Sequence, residues 1–458
     1  MALTPEKAAI RFGEGLSPDR PLPGSIEAVL GQLTEPDLSA EAHEIPPFDA
    51  LLPALGKVEA ARKAYRKARG SDREQRLNDA FKTLRRDQLR ARMRDHQQFL
   101  ARSLTTEAPF RERLTRFWGD HFTVAPRVPL LAFTTPNYLE GAVRPHVAGR
   151  FADMLKAVVT HPSMLIYLDQ VSSFGPNSKA ARGRRGLNEN LARELIELHT
   201  LGVGGAYSQA DVRQLAELLT GLTVGLPDGF AFRPARAEPG GEQVLGRLYG
   251  GGAASLEDIF AVLEDLAAHP DTGTHLARKL AVHFCSDVPN EGMVAAMARA
   301  YRDGDGQLVP VYAAMLEHPF AWDSFGQKVK QPIDFITSAL RAIALPPRSL
   351  AKLNRREVQS YLTGPLAAMG QPLFKPLGPD GWPETAEAWI TPQGLAARLQ
   401  WAMAVPSAFF RSLPDPRGFV DTSLGNLADE RVRFAAQAAE TRREGVGLVL
   451  ASPGFQRR

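Results

Sequence analysis

Along most of the 458-residue chain, apolar side chains recur at every third or fourth position, the period of one helix face, and the strict alternation of a half-buried strand is almost absent. That pattern predicts an all-α protein, a large multi-helix body with long irregular loops. Helices are expected over 25–33, 50–69, 72–104, 108–122, 147–160, 162–172, 188–201, 208–220, 255–268, 271–285, 290–302, 307–317, 331–343, 356–368, 392–404 and 427–440. Only "GFAFRP" and "EQVLGRLYGG" read as strands. There a small hairpin is expected to protrude, within 222–254, from a single helical domain that spans 1–458.

Three His-Pro pairs, His161-Pro162, His269-Pro270 and His318-Pro319, fall between periodic segments. The residue before proline avoids the α region while proline suits a first helical turn, so each pair reads as a helix junction, its histidine able to cap or to bind metal. Four irregular stretches are longer than ordinary connections: 123–137, 173–187, 222–254 and 370–391. The last carries Trp382 and Trp389 among glycines and prolines, either as walls of a pocket or as pins that hold the loop to the body.

Composition narrows the class. The hydrophobic fraction of 44% and charged fraction of 23% are those of an ordinary globular protein. No apolar run approaches the roughly 18–20 residues that a membrane span needs. The opening "MALTPEKAAIRFGEG" shows neither an uninterrupted apolar stretch nor a twin arginine, which makes the cytoplasm the default compartment. A single cysteine, Cys285, excludes an internal disulfide and a multi-cysteine metal cage, and its apolar setting in "LARKLAVHFC" predicts a buried, inert thiol. The net charge of +4 is small, yet basic residues crowd the segment 57–93, a candidate surface for phosphates or nucleic acid with few aromatics for base stacking.

The densest polar chemistry lies in "LNENLARELIELHTLGVGG", Leu187 to Gly205. At 100° per residue, Leu191, Leu195 and Leu198 form one stripe that must face a core. Asn190, Glu194 and Glu197 form a second stripe on its border, while His199 lies well round the axis, nearer Asn188. The helix therefore cannot be a one-helix metal motif with both ligands on one face. Arg193 sits four residues after Glu189 and four before Glu197, spaced for a ladder of ion pairs. Glu194 and Glu197 are placed to anchor a buried network, to hold a hard cation, or to do acid/base work. Gly202 should cap this helix, and Ser208 with Asp211 should start the next as a capping box.

Other polar residues fall on apolar faces. His121 continues the stripe of Phe110, Leu114, Phe117 and Trp118 and should point inward, within reach of the carboxylates of the polar helix. Lys279 borders an apolar face with His275, four residues before His283, and can offer a charge to a carboxylate cluster. "DGDGQ", Asp303 to Gln307, lacks the glycine and the glutamate that a calcium loop requires and reads as a turn. There is no Walker loop, no GxGxxG and no GxSxG elbow.

"NENLARELIELHTLGVGGAYSQADV" closely resembles the hallmark of the bacterial family called domain of unknown function 1800. The likeness continues through "RFGEG", "FWGDHF", "HPSMLIYLD", "ARKLAVHF", "KVKQP", "MGQPLF", "GWP" and "ASPGFQRR". The resemblance implies a large helical protein, frequently encoded beside a member of the domain of unknown function 1501 family, which looks like the alkaline phosphatase and sulfatase superfamily. Many relatives are exported, so it also implies a periplasmic location by co-export. This chain departs from the pattern at Leu222, where a tryptophan is usual, and at Ala237-Glu238, where a His-Asp pair is expected.

The leading expectation is an interaction or accessory protein that works with such a partner. The alternative is a metal-assisted hydrolase with a divalent cation on Glu194 and Glu197, which with His121 and Lys279 would form the catalytic set. Asn188, Asn190, Arg193, His199, Trp382 and Trp389 would line its binding site. Binding of phosphate or nucleic acid through 57–93 ranks third.

Overall fold

The computed structural model describes residues 3–125, 134–181, 186–225, 227–410 and 412–458. Every periodic segment holds helix, and among the described residues strands are confined to two short hairpins. The irregular stretches 123–137, 173–187 and 222–254 fall partly outside the described residues, at 126–133, 182–185 and 226.

Periodicity misses the helices Pro5–Arg11, Pro416–Leu424 and Arg442–Ala451. The last reads poorly because Gly445 and Gly447 depress helix propensity. Packing supplies the reason for both glycines: a Cβ at Gly447 would lie 2.3 Å from Met403 Sδ, and one at Gly445 would lie 2.4 Å from Pro416. Small residues let Arg442–Ala451 press against the helix Pro392–Ala404.

Both segments that read as strands hold them, in two hairpins. "GFAFRP" does not pair with "EQVLGRLYGG". Gly229–Phe232 pairs with Leu222–Gly225 before it, and Gly241–Val244 folds back on Arg247–Gly250 through a turn in which Leu245 and Gly246 both have positive φ. Both hairpins lie against the helices through Leu222, Val244 and Tyr249, which are buried in the main apolar cluster.

That cluster runs from Ala8 to Phe455. Near its centre lies the helix Pro109–His121, with Phe110, Leu114, Phe117, Trp118 and His121 all buried. The polar tips inside are paired: Trp118 Nε1 donates to Tyr312 Oη at 2.7 Å, which donates to the Val147 carbonyl at 3.0 Å. Cys285 is a buried free thiol, pushed up to about 11 by that burial.

All three His-Pro junctions are caps. The imidazole Nδ1 of His161 accepts from Ser163 N, that of His269 from Asp271 N, and that of His318 from Phe320 N, each at 3.1–3.2 Å. Each ring satisfies one of the orphan amides that a helix start exposes. Ser208 and Asp211 form the reciprocal capping box that opens Gln209–Leu218. Asp303 to Gln307 is a turn, closed by Gly306 N to Tyr301 O at 2.9 Å. Among the described residues no helix is long and apolar enough to cross a membrane.

Candidate functional site

The polar helix begins as α-helix over Asn190–Glu194 and widens to a π turn over Leu195–His199. Its start is tied down by Asn188, whose Oδ1 accepts from Asn190 N at 2.9 Å and whose amide group donates to the Asp169 carbonyl at 3.2 Å. A π turn lets carbonyls escape the regular i→i+4 ladder, and turns of this kind recur at functional sites. Here two imidazoles from other helices take up the last carbonyls. His121 Nε2 donates to the His199 carbonyl at 3.1 Å, and His275 Nε2 donates to the Leu198 carbonyl at 3.0 Å. Gly202, at φ +87°, then ends the segment, its amide donating to the Ile196 carbonyl at 3.2 Å. A side chain there would run into the His275 ring.

His121 therefore meets backbone and two other histidines, and the expected meeting with the carboxylates of the polar helix is not what holds it. Its ring centroid lies 5.9 Å from His199 and 6.2 Å from His275. Burial, with the Lys279 ammonium adding to it, holds His199 down at about 3 and His275 at about 4, and keeps His121 well below the usual imidazole range. All three are neutral at pH 7.

On the opposite border Arg193 donates to Glu189 and to Glu197, both at 3.2 Å, the ladder expected from the spacing. Glu194 and Glu197 are half-buried and Asn190 is exposed. Glu197 is thus already held by a guanidinium. Among the described residues no three His, Cys, Asp or Glu side chains are grouped to hold a metal ion. The donors at this spot suit an ion-pair ladder better than a cation.

The larger concentration of charge lies elsewhere, where segments far apart in the chain meet. Asp334 is gripped by Arg113 at 3.0 Å, by Arg116 at 3.1 Å and by Arg458. Arg116 also binds Glu14 at 2.6 Å. His283 Nδ1 donates to Glu384 Oε1 at 2.6 Å, and Lys328 binds Glu384 at 3.1 Å and Asp287 at 2.8 Å. Although burial pushes it up, Glu384 is held down at about 2 by His283 and Lys328. Gln371 joins Gln331 at 2.9 Å and accepts from Ile333 N at 2.8 Å. "RFGEG", "FWGDHF", "ARKLAVHF", "KVKQP", "MGQPLF", "GWP" and "ASPGFQRR" each place a residue in or beside this network.

Beside it lies a cavity of about 80 Å³ lined by Asp120, Arg116, His283, Gln331, Gln371 and Trp382, with Phe99, Leu139 and Phe374 among its apolar walls. Both oxygens of Asp120 accept from the Trp382 amide at 3.1 Å. This close approach depends on Gly381, at φ +84°, where a Cβ would lie 2.8 Å from the Asp120 carboxyl. Burial pushes the Asp120 carboxyl up to about 8, with Glu384 and Asp380 adding to the rise and the Trp382 amide and Lys279 opposing it. Lys279 is in turn lowered by burial and steadied by Asp120, Glu384 and Asp380. Trp382 lines the cavity and Trp389 is 2% exposed, their rings 6.2 Å apart, so one indole is a wall and the other a pin.

Asp120, Glu384 and Asp334 carry no pattern that marks them in the sequence, whereas His283 lies on an apolar face. Asp120 directly precedes His121 in "FWGDHF" and is the one acidic residue of that motif, the signal that was available. Glu238, at the departure from the family pattern, is 9% exposed and accepts from Asn177 N at 2.9 Å and from Asn177 Nδ2 at 2.5 Å, a loop clasp. Comparison with curated proteins and with solved structures finds no match. The family model described as "Protein of unknown function (DUF1800)" matches residues 7–457, and the chain belongs to that family.

Proposed function

We propose that this protein is an interaction or accessory protein, built as one domain over 1–458, that works with a partner resembling the phosphatase and sulfatase superfamily. The observation that carries this reading is the pairing of charges in the interior network: three arginines on Asp334, His283 and Lys328 on Glu384. Charges engaged in this way tie elements together, and removing either partner of such a pair is costly. The resemblance supplies the partner class, a domain of unknown function 1501 protein, and the compartment follows that partner, periplasmic if the two are exported together and cytoplasmic otherwise. Co-expression with such a protein tests the reading. Co-elution on size exclusion that survives dilution supports it, and separate elution at micromolar concentration rejects it.

A second reading is favoured by Asp120: an enzyme that uses it as the acid/base group of the small cavity, with Lys279 beside it. In the metal-assisted form, Glu194 and Glu197 would be the ligands. Metal analysis of the purified protein with Glu194→Ala and Glu197→Ala tests that form: stoichiometric metal lost in both variants at unchanged melting temperature supports it. Binding of nucleic acid through 57–93 would show as strong retention on heparin that weakens steeply with salt.

A further inference from the structure

The antiparallel helices Leu52–Lys67 and Glu74–Thr105 form an arm on the body. From 59 to 91 no side chain on it is buried. Between Lys57 and Arg92 the chain carries 13 Lys and Arg against 5 Asp and Glu, a net +8 where the whole protein has only +4. The charge imbalance of the molecule is thus concentrated on this arm, and the rest is net acidic.

Where the arm joins the body there is a groove of about 770 Å³. Its floor is aliphatic: Leu55, Val58 and Leu89 from the arm, Ile166, Val171 and Val224 from the body. Its walls are cationic. Arg62 and Lys63 share Glu59, and Arg92 is bound to Asp95, but Arg66, Arg69 and Arg85 form no ion pair among the described residues. Arg69 rests on the Tyr65 ring, which stacks on Phe81 at 6.3 Å, so aromatic contact holds Arg69 in place.

We infer that this groove is a docking site for an acidic amphipathic helix of a partner protein. An apolar floor between cationic walls matches a helix with one aliphatic face flanked by carboxylates, the helix-in-groove mode of recognition. Polynucleotides bring no aliphatic face to such a floor, and the two rings of the groove, Tyr65 and Phe81, are stacked on each other. A single anionic headgroup would satisfy one cation, whereas Lys63 and Arg66 lie about one turn apart on Leu52–Lys67 and Arg69 follows in the turn beyond it. The inference names the partner surface for the interaction reading above and rests on it.

The test uses the full chain and a labelled synthetic helix of about four turns, leucine on one face and glutamate on the other. Fluorescence anisotropy should show saturable binding that weakens at least about tenfold in Arg66→Glu/Arg69→Glu/Arg85→Glu and falls as salt is raised. All three positions are exposed, so the variant should keep the parent melting temperature. Leu89→Gln, which spoils the floor and leaves the charge unchanged, should also weaken binding. The inference is overturned by absence of saturable binding, by binding indifferent to the arginine reversal, or by tighter binding of an oligothymidylate or of phosphatidylglycerol vesicles at the same salt. Any of these results alongside intact co-elution with the 1501-family protein would remove the groove and leave the interaction reading standing.

Discussion

His121 Nε2 donates to the backbone carbonyl of His199 at 3.1 Å, so a side chain from one buried helix completes the end of another. Both residues are almost wholly buried, at 2% and 1% exposed, and no water can replace the donor without opening the core. His121→Phe should therefore cost about 1–3 kcal/mol, the penalty of an orphaned buried carbonyl. His121→Gln, which keeps a donor, should cost less. Urea unfolding of the two variants checks this, and equal losses would show that ring packing, not the hydrogen bond, is what matters.

Asp334 and Glu197 form ion pairs of different weight. Asp334→Asn leaves three buried guanidinium groups short of their shared anion and should destabilise by about 3–5 kcal/mol. Glu197→Ala removes one rung of a solvated ladder and should cost about 0.3–0.5 kcal/mol. Thermal melts of the two variants measure the contrast. A severe loss in Glu197→Ala would mean that this carboxylate holds more than Arg193.

Acid should weaken the fold through its buried imidazoles, opposed in part by Asp120 and Glu242, whose carboxyls burial raises to about 8 and about 7 so that they take up protons in the folded state. The imidazoles of His161 and His199 are held at about 3 and that of His275 at about 4, all by burial, against 6.5 for a free side chain. Between those values the unfolded chain binds the extra protons, so stability falls as pH drops from 6.5 toward 4, by at most about 1.4 kcal/mol per pH unit for each group. Glu384, depressed to about 2, adds a further loss below 4.5. Urea midpoints across pH 7 to 4.5 should slope downward, less steeply in His161→Gln. A slope unchanged in His161→Gln would place that ring in contact with water.

Gly381→Ala should disturb the cavity. The backbone there is left-handed and the new methyl would press on the Asp120 carboxyl. A cost of about 1–2 kcal/mol for the conformation alone is expected. The clash should loosen Trp382 and shift its fluorescence to the red. An unchanged spectrum would show that the loop does not depend on this contact.

Local patterns in the chain specify most helices, the His-Pro caps, the box at Ser208 and Asp211, and the Glu189–Arg193–Glu197 ladder, because each depends on neighbours within four residues. The π turn does not follow from a 100° projection, since its stability comes from His121 and His275, 78 and 77 positions away from the carbonyls they bind. The convergence on Asp334 is equally hidden. Arg113, Arg116 and Arg458 read as ordinary surface cations until folding buries them together. Motif likeness covers the segment that holds Asp120 but does not single that residue out, since the burial that raises its carboxyl arises only in the folded chain.

Arg11 Nη2 reaches the Arg458 carbonyl at 3.4 Å while the Arg458 side chain closes on Asp334. Vectorial synthesis presents the first of these residues hundreds of codons before the last. A nascent chain can collapse helix by helix, yet the electrostatic lock at its centre must stay open until Arg458 has been added. The molecule thus has a late-closing seam, and chaperone binding or proteolysis during synthesis should concentrate on the intermediates that lack it.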